Sequence, residues 1–270
     1  RIMKDVFAKF GLEATYVDTT DLDNIRKAIR PNTKGIFIET PSNPLLDVTD
    51  IRGTVAIAKE HGLLTIVDNT FLSPYLQRPL ELGADIVVHS ATKYLSGHND
   101  IIAGAVVVND DTLAEKISFA QVAIGALISP FDSWLLIRSI KTLKVRMDYA
   151  QANTLKLIEF LQGHPAVEKV YYPTLPSNKS QASGAGAVFS FVMKDEKKVK
   201  TFFEALRVAL FAVSLGGVET LVTHPSTHTH TEFPEEEKVA RGVTQTLVRV
   251  AVGIEHIDDL IADFKQALEK

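Results

Sequence analysis

Cysteine is absent from this chain of 270 residues, which excludes disulfides, thiolate metal sites and a cysteine nucleophile. A basic excess is missing as well: 29 Lys and Arg stand against 33 Asp and Glu, leaving a net charge of −4 and a pI near 6.1. Composition therefore gives no electrostatic case for nucleic acid, and no basic run suggests a membrane surface. No apolar run of about 18 residues and no secretory leader can be found, so the cytoplasm is the default expectation. What is there, 46% hydrophobic and 23% charged residues, is ordinary for a globular protein with one or two cores.

The most informative stretch covers residues 66–104. Ile66-Val67-Asp68-Asn69-Thr70 and Asp85-Ile86-Val87-Val88 are short apolar runs bounded by polar residues and glycine, the pattern of buried strands in a parallel sheet. Catalytic groups gather at strand ends in such sheets, which places Asp68 and the following Lys93 at one rim. An acid and a lysine converging there suggest a Schiff-base site, in which the amine must be unprotonated enough to attack a carbonyl. Pyridoxal phosphate suits the whole set. Its ring nitrogen calls for an acid such as Asp68, and its phosphate for hydroxyl and N–H donors such as Ser90 and Thr92. A lone lysine after a strand is more often a surface residue, and only the combination argues otherwise.

Strand, helix and strand alternate from residue 33 to residue 108, which implies an α/β fold with a mainly parallel sheet flanked by helices. Residues 1–7 read as a helix and 11–18 as a strand. A helix at 22–29 has Asp21 as its cap, another at 51–61 is closed by Gly62, and a third spans 111–119. A single helix of about thirty residues, with Asp132 or Ser133 as cap, is expected from residue 129 to 161. Such a helix connects two domains, so the boundary is placed inside it: a cofactor-binding domain over 1–144 and a smaller α+β domain over 145–270. Arg138, Lys141 and Arg146 read as a solvated basic face of that helix. In the second domain, strands are expected at 187–192, 211–217 and 247–252, and helices at 199–206 and 258–268.

Leu247-Val248-Arg249-Val250-Ala251-Val252 sets an arginine inside an apolar strand, where desolvation costs several kcal/mol unless an anion meets it. A structural ion pair and a two-pronged clamp for a carboxylate are both open readings. Asn43, in Thr40-Pro41-Ser42-Asn43-Pro44, is either a turn residue or a ligand on a fixed loop. His89 and His98, and the closer set His224, His228 and His230, invite a metal reading. Without cysteine or a nearby carboxylate cluster, packing histidines are favoured and no metal is expected.

Val67-Asp68-Asn69-Thr70, Ser73-Pro74-Tyr75, Gln77-Arg78-Pro79-Leu80, Gly83-Ala84-Asp85 and His89-Ser90-Ala91-Thr92-Lys93-Tyr94 together resemble the cystathionine-lyase and cystathionine-synthase family of pyridoxal-phosphate enzymes. The likeness extends from Glu39-Thr40-Pro41 to Val252-Gly253-Ile254-Glu255. It implies a fold-type I transferase with pyridoxal 5′-phosphate held by Lys93, Asp68, Ser90, Thr92 and Asn43, and an amino-acid carboxylate held by Arg249, Ser214 and Asn43. It also implies a homotetramer built from dimers, a further N-terminal part of the polypeptide before residue 1, and more residues than are present between 175 and 184. Val213 stands where many γ-lyases and γ-synthases of the family carry Glu, and Ser129-Pro130-Phe131-Asp132-Ser133-Trp134 is similar to β-lyases. The resemblance thus favours a carbon–sulfur lyase acting on cystathionine by β-elimination. γ-Elimination and γ-replacement remain open, because methionine γ-lyases also carry Val there.

Overall fold

The computed structural model describes residues 2–173, 181–229, 231 and 234–270. Four strands form the first sheet: β1 (Gly35–Glu39), β2 (Leu64–Asp68), β3 (Ile86–Ser90) and β4 (Gly104–Val108), in the order β1-β2-β3-β4. The first three run parallel and β4 closes the edge antiparallel, so the mainly parallel sheet holds with one reversed strand. Helices α1 (Leu22–Ala28) and α2 (Ile51–Glu60) precede β1 and β2. Asp21 caps α1 by accepting from the Asp23 N–H, and Asp50 caps α2 by accepting from Gly53. Ile38, Ile51, Val55, Val67 and Ala84 form the small core between this sheet and α2.

After the short α3 (Ser73–Leu76) and β3–β4 come α4 (Asp111–Ile124), α5 (Pro130–Ile140) and α6 (Leu143–Gln162). The expected single helix is thus two. Thr142 Oγ1 donates to Ser139 O and accepts from Arg146 Nε, while Arg146 Nη2 donates to Ser139 O at 3.0 Å. These side chains satisfy the carbonyl that a continuous helix would have used, and the chain bends there. The cap is Ser129, whose Oγ accepts from Asp132 N at 3.0 Å, rather than Asp132 or Ser133; Pro130 then takes the first helical position. Arg146 is not on a solvated face. It is buried, and its Nη1 donates to Tyr94 O at 2.8 Å, tying α6 to the segment just after Lys93.

The second sheet is β5 (Val167–Tyr171), β6 (Val188–Met193), β7 (Leu210–Phe211), β8 (Leu221–Thr223) and β9 (Leu247–Ala251), ordered β5-β6-β9-β8-β7. Helices α7 (Val199–Ala205), α8 (Pro225–His228), α9 (Glu235–Ala240) and α10 (Ile257–Leu268) complete the chain. Phe189, Phe191, Phe202 and Phe264 pack edge to face and tilted in a core closed by Leu157 and Leu161 of α6. A middle cluster, with Leu72, Tyr94, Met147, Val188 and Leu221, joins the two sheets.

Two other expectations fail locally. Residues 2–10 form a π-helical and a 3₁₀ turn, and 11–18 form no strand; Ile2, Val6, Phe7 and Phe10 are exposed, so no tertiary packing selects the local pattern. The strand expected at 211–217 shrinks to β7, because Ser214 (φ +99°) and Gly216 (φ +79°) turn the chain away. Residues 175–180, where the chain was expected to be shorter than its relatives, lie outside the described residues, as does His230.

Candidate active site

Asp68 ends β2 and Ser90 ends β3, and the two strand ends are stapled to each other. Asp68 Oδ1 accepts from Thr70 N at 2.9 Å, and Thr70 Oγ1 accepts from Ser90 N at 2.8 Å. The chain then turns through Ala91 and Thr92, with Lys93 N donating to Ser90 O at 3.1 Å. Thr92 Oγ1 accepts from Ala103 N and donates to Ala103 O, which pins the turn to the entry of β4. Lys93 Nζ projects from this turn and donates to Ser214 Oγ at 2.7 Å.

Ser214 reaches Lys93 only because the following turn can approach closely. A Cβ on Gly216 would lie 2.7 Å from Tyr94 N and 3.0 Å from Lys93 C, so that position tolerates no side chain without backbone movement. Arg249, in register with Ser190 on β6 and Thr223 on β8, enters from the second sheet. It is 3% exposed. Its Nη1 donates to Asn43 Oδ1 at 3.0 Å, and its Nη2 to Ser214 O at 2.8 Å and Thr223 Oγ1 at 3.2 Å. Its Nε is buried without a partner among the described residues. Among the described residues Arg249 forms no ion pair, which removes the structural-pair reading there and leaves a buried cation held by neutral acceptors. An orphaned guanidinium N–H of this kind fits an incoming carboxylate.

Burial lowers the Lys93 pKa, and the Arg249 charge lowers it further. Among the described residues Lys93 donates to a hydroxyl and to no acid, so no carboxylate there hydrogen-bonds its ammonium form. Burial likewise brings Arg249 down to about 10, still a cation at neutral pH. Glu39, in register with Asp68, is pushed up to about 7, first by burial and then by the Asp68 charge. Glu39 is itself exposed at the rim, so screening by water limits that shift. His89 lies beside them, its pKa lowered by burial against the opposing Asp68 charge, and its Nδ1 has no partner among the described residues.

The structure thus brings Asp68, Ser90 and Lys93 to one rim, and Asn43, Ser214 and Arg249 to its facing side. Thr92 lies in the same turn, but its hydroxyl is engaged by Ala103. The set fits pyridoxal phosphate: an acid, a lysine poised toward its neutral form and hydroxyl and N–H donors stand together at the strand ends. Glu39 and Thr223 belong to the site and went unread in the sequence; Glu39 carried the same signal as Asp68, an acid closing an apolar strand. His224 is saturated by Thr227 Oγ1 and Gln245 O, and His228 stacks on Phe211 at 4.6 Å. His98 Nδ1 pairs with Ser96 O at 2.6 Å. Among the described residues no three His, Asp or Glu side chains are grouped for a metal.

The model of the family described as Cys/Met metabolism PLP-dependent enzyme matches residues 1–269. Cystathionine beta-lyase MetC of Bacillus subtilis is 48% identical over 276 residues, covering 100% of this chain and 71% of the relative. Cystathionine gamma-synthase/O-acetylhomoserine (thiol)-lyase of the same species is 51% identical over 268 residues, covering 99% and 69%. The crystal structure of cystathionine gamma-lyase from Lactobacillus plantarum complexed with L-serine superposes with a TM-score of 0.96 at 43% identity, covering 100% of this chain and 72% of that one.

Proposed function

The chain belongs to the Cys/Met metabolism PLP-dependent enzyme family, with the fold-type I architecture of its solved relatives, and on that premise we propose that it is a carbon–sulfur lyase splitting L-cystathionine by β-elimination into homocysteine, pyruvate and ammonia. The observation that carries the reading is the convergence of Lys93 Nζ, Ser214 and the partner-seeking Arg249 guanidinium at the rim beside Asp68. Residues 1–144 are assigned to cofactor binding and 145–270 to the smaller domain that delivers Arg249.

Pyridoxal phosphate, when bound, supplies an electron sink that tolerates negative charge at the substrate Cα. Lys93 and Asp68 would hold it by its reactive carbon and its ring nitrogen, Asn43 by its phenolic oxygen, and Ser90 with neighbouring N–H groups by its phosphate; Thr92 would join by releasing Ala103 O. Arg249 and Asn43 orient the α-carboxylate of the amino acid, which fixes the Cα proton toward Lys93. The Lys93 amine, its pKa already lowered, takes that proton at Nζ, and Ser214 Oγ positions the amine. Loss of the homocysteine thiolate breaks the Cβ–S bond, and hydrolysis of the remaining enamine gives pyruvate and ammonia.

Val213, exposed beside Ser214, offers no carboxylate to a distal ammonium, which supports the β-lyase reading. The 51% identity to a γ-synthase favours γ-elimination or γ-replacement as the second reading. The exposed apolar side chains of α4 and α5, with Phe119 at 76% and Ile137 at 63%, support a subunit interface, which we assign to a homotetramer; a fully active monomer in light scattering refutes that assembly.

The deciding experiment is an absorbance spectrum with pyridoxal phosphate, followed by L-cystathionine and identification of the keto acid. A visible band that Lys93→Ala abolishes, with pyruvate formed, supports the proposal. 2-Oxobutanoate moves the protein to the γ-lyases, and a wild-type protein with no band refutes the assignment of Lys93 and Asp68.

A further inference from the structure

Behind the rim, outside the groups that would touch cofactor or substrate, lies a fully buried chain of amides. Gln77, Asn69 and Gln181 are 1%, 1% and 7% exposed. Gln77 Nε2 donates to Thr40 O at 3.0 Å and to Asn69 Oδ1 at 2.9 Å, and Asn69 Nδ2 returns a bond to Gln77 O at 2.7 Å. Gln77 Oε1 accepts from Gln181 Nε2 at 3.4 Å. Gln181 also donates to Thr49 O at 3.0 Å, and its Oε1 accepts from Ile51 N at 3.1 Å. Each amide is oriented by the next, since Gln77 must turn its NH₂ toward two oxygens and therefore its oxygen toward Gln181.

The partners explain the placement. Asn69 follows Asp68 directly. Thr40 opens the loop that carries Asn43, and its Oγ1 accepts from Thr49 N at 3.0 Å, closing that loop on itself. Gln181 comes from the segment that pairs Ala182 with Gln77 and belongs, in sequence, to the second half of the chain. One side chain thus touches the side chain of the residue next to the acid, the loop next to the carboxylate clamp and the strut from the second domain.

We propose that Gln77 is a positioning residue that sets Asp68 and the Asn43–Arg249 clamp in register with each other, with Gln181 linking that setting to the second domain. The inference rests on the roles assigned above to Asp68 and Asn43, and it adds a residue that touches neither cofactor nor substrate. A buried hydrogen-bond network of this kind fixes geometry because every alternative leaves a donor or acceptor unpaired. Gln77→Glu keeps the shape but offers one donor when protonated and none when ionised, so at least one of the contacts to Thr40 O and Asn69 Oδ1 becomes repulsive.

The test uses the full chain. Gln77→Glu is expected to weaken pyridoxal phosphate binding by about tenfold or more, shift the wavelength of the visible band and raise KM for L-cystathionine more than it lowers kcat. Without cofactor, hydrogen exchange should rise together in peptides covering 40–51 and 181–186. If Gln77→Glu does not fold, Gln181→Met, which removes one link, is expected to move the same readouts less. The control is Asp263→Asn, in α10 and away from the site, which should lower Tm without moving the band. A folded variant with affinity within about twofold and an unshifted band overturns the proposal, as does an equal band shift in the control. A wild-type protein with no band instead overturns the underlying reading of Lys93 and Asp68.

Discussion

Replacing Arg249 with Met separates substrate binding from folding, because the two respond with different magnitudes. In the protein without substrate, Arg249 is buried and cationic, and among the described residues it is held by Asn43 Oδ1, Ser214 O and Thr223 Oγ1. Removing it loses three hydrogen bonds of about 1–2 kcal/mol each and also relieves a desolvation penalty of several kcal/mol, so the terms nearly cancel. Tm should therefore move by no more than about 4 °C. With a substrate carboxylate paired to the guanidinium, the same change removes a buried charge-assisted contact worth about 3–5 kcal/mol, or two to four orders of magnitude in kcat/KM. Arg249→Lys, which keeps the charge but not the fork, should fall between the two. The assay is kcat/KM for L-cystathionine and for its α-carboxamide in wild type and variants. The carboxylate preference should collapse in Arg249→Met. An unchanged preference, or a loss of the same factor for both compounds, refutes the clamp; a Tm falling by more than about 10 °C shows instead that Arg249 is a structural element.

Glu39 has a raised folded pKa, so its stabilising contribution is complete below its ordinary 4.5 and is lost as pH rises through about 7. Glu39→Gln, always neutral, should gain in Tm over wild type from pH 4.5 to 7 and level off above, by no more than about 3 °C because water reaches the group; a flat difference refutes the shift. Asp263, buried on α10, accepts from the N–H groups of Arg207, Val208 and Ala209 at 2.9, 2.9 and 3.0 Å. Asp263→Ala should destabilise by about 3–5 kcal/mol, measured as a shift in urea midpoint with unchanged m-value; a cost below about 1 kcal/mol refutes that accounting.

The strands ending in Asp68 and Ser90 were legible because short apolar runs between glycine and polar residues have few alternatives to a buried parallel sheet. Arg249 was legible for the opposite reason, as a charge that its strand could not bury without purpose. Misreadings arose where local pattern was the only guide. Residues 11–18 alternate like a strand but have no strand partner among the described residues, and the helix over 129–161 has unbroken apolar spacing although Thr142 and Arg146 divert the carbonyl of Ser139. Arg146 was read as a solvated cation because helical spacing cannot say that Tyr94 O lies opposite it.

By itself the sequence determined the chemistry available: which acid, which lysine, which arginine and, through their order along the chain, the family to which they belong. The tertiary structure alone decided which groups meet. The Lys93–Ser214, Arg249–Asn43 and Gln77–Gln181 contacts span 121, 206 and 104 residues. Such contacts exist only after two sheets have packed, and no local propensity encodes them. The lowered Lys93 pKa has the same origin, since it depends on burial and on a guanidinium delivered from the other end of the chain.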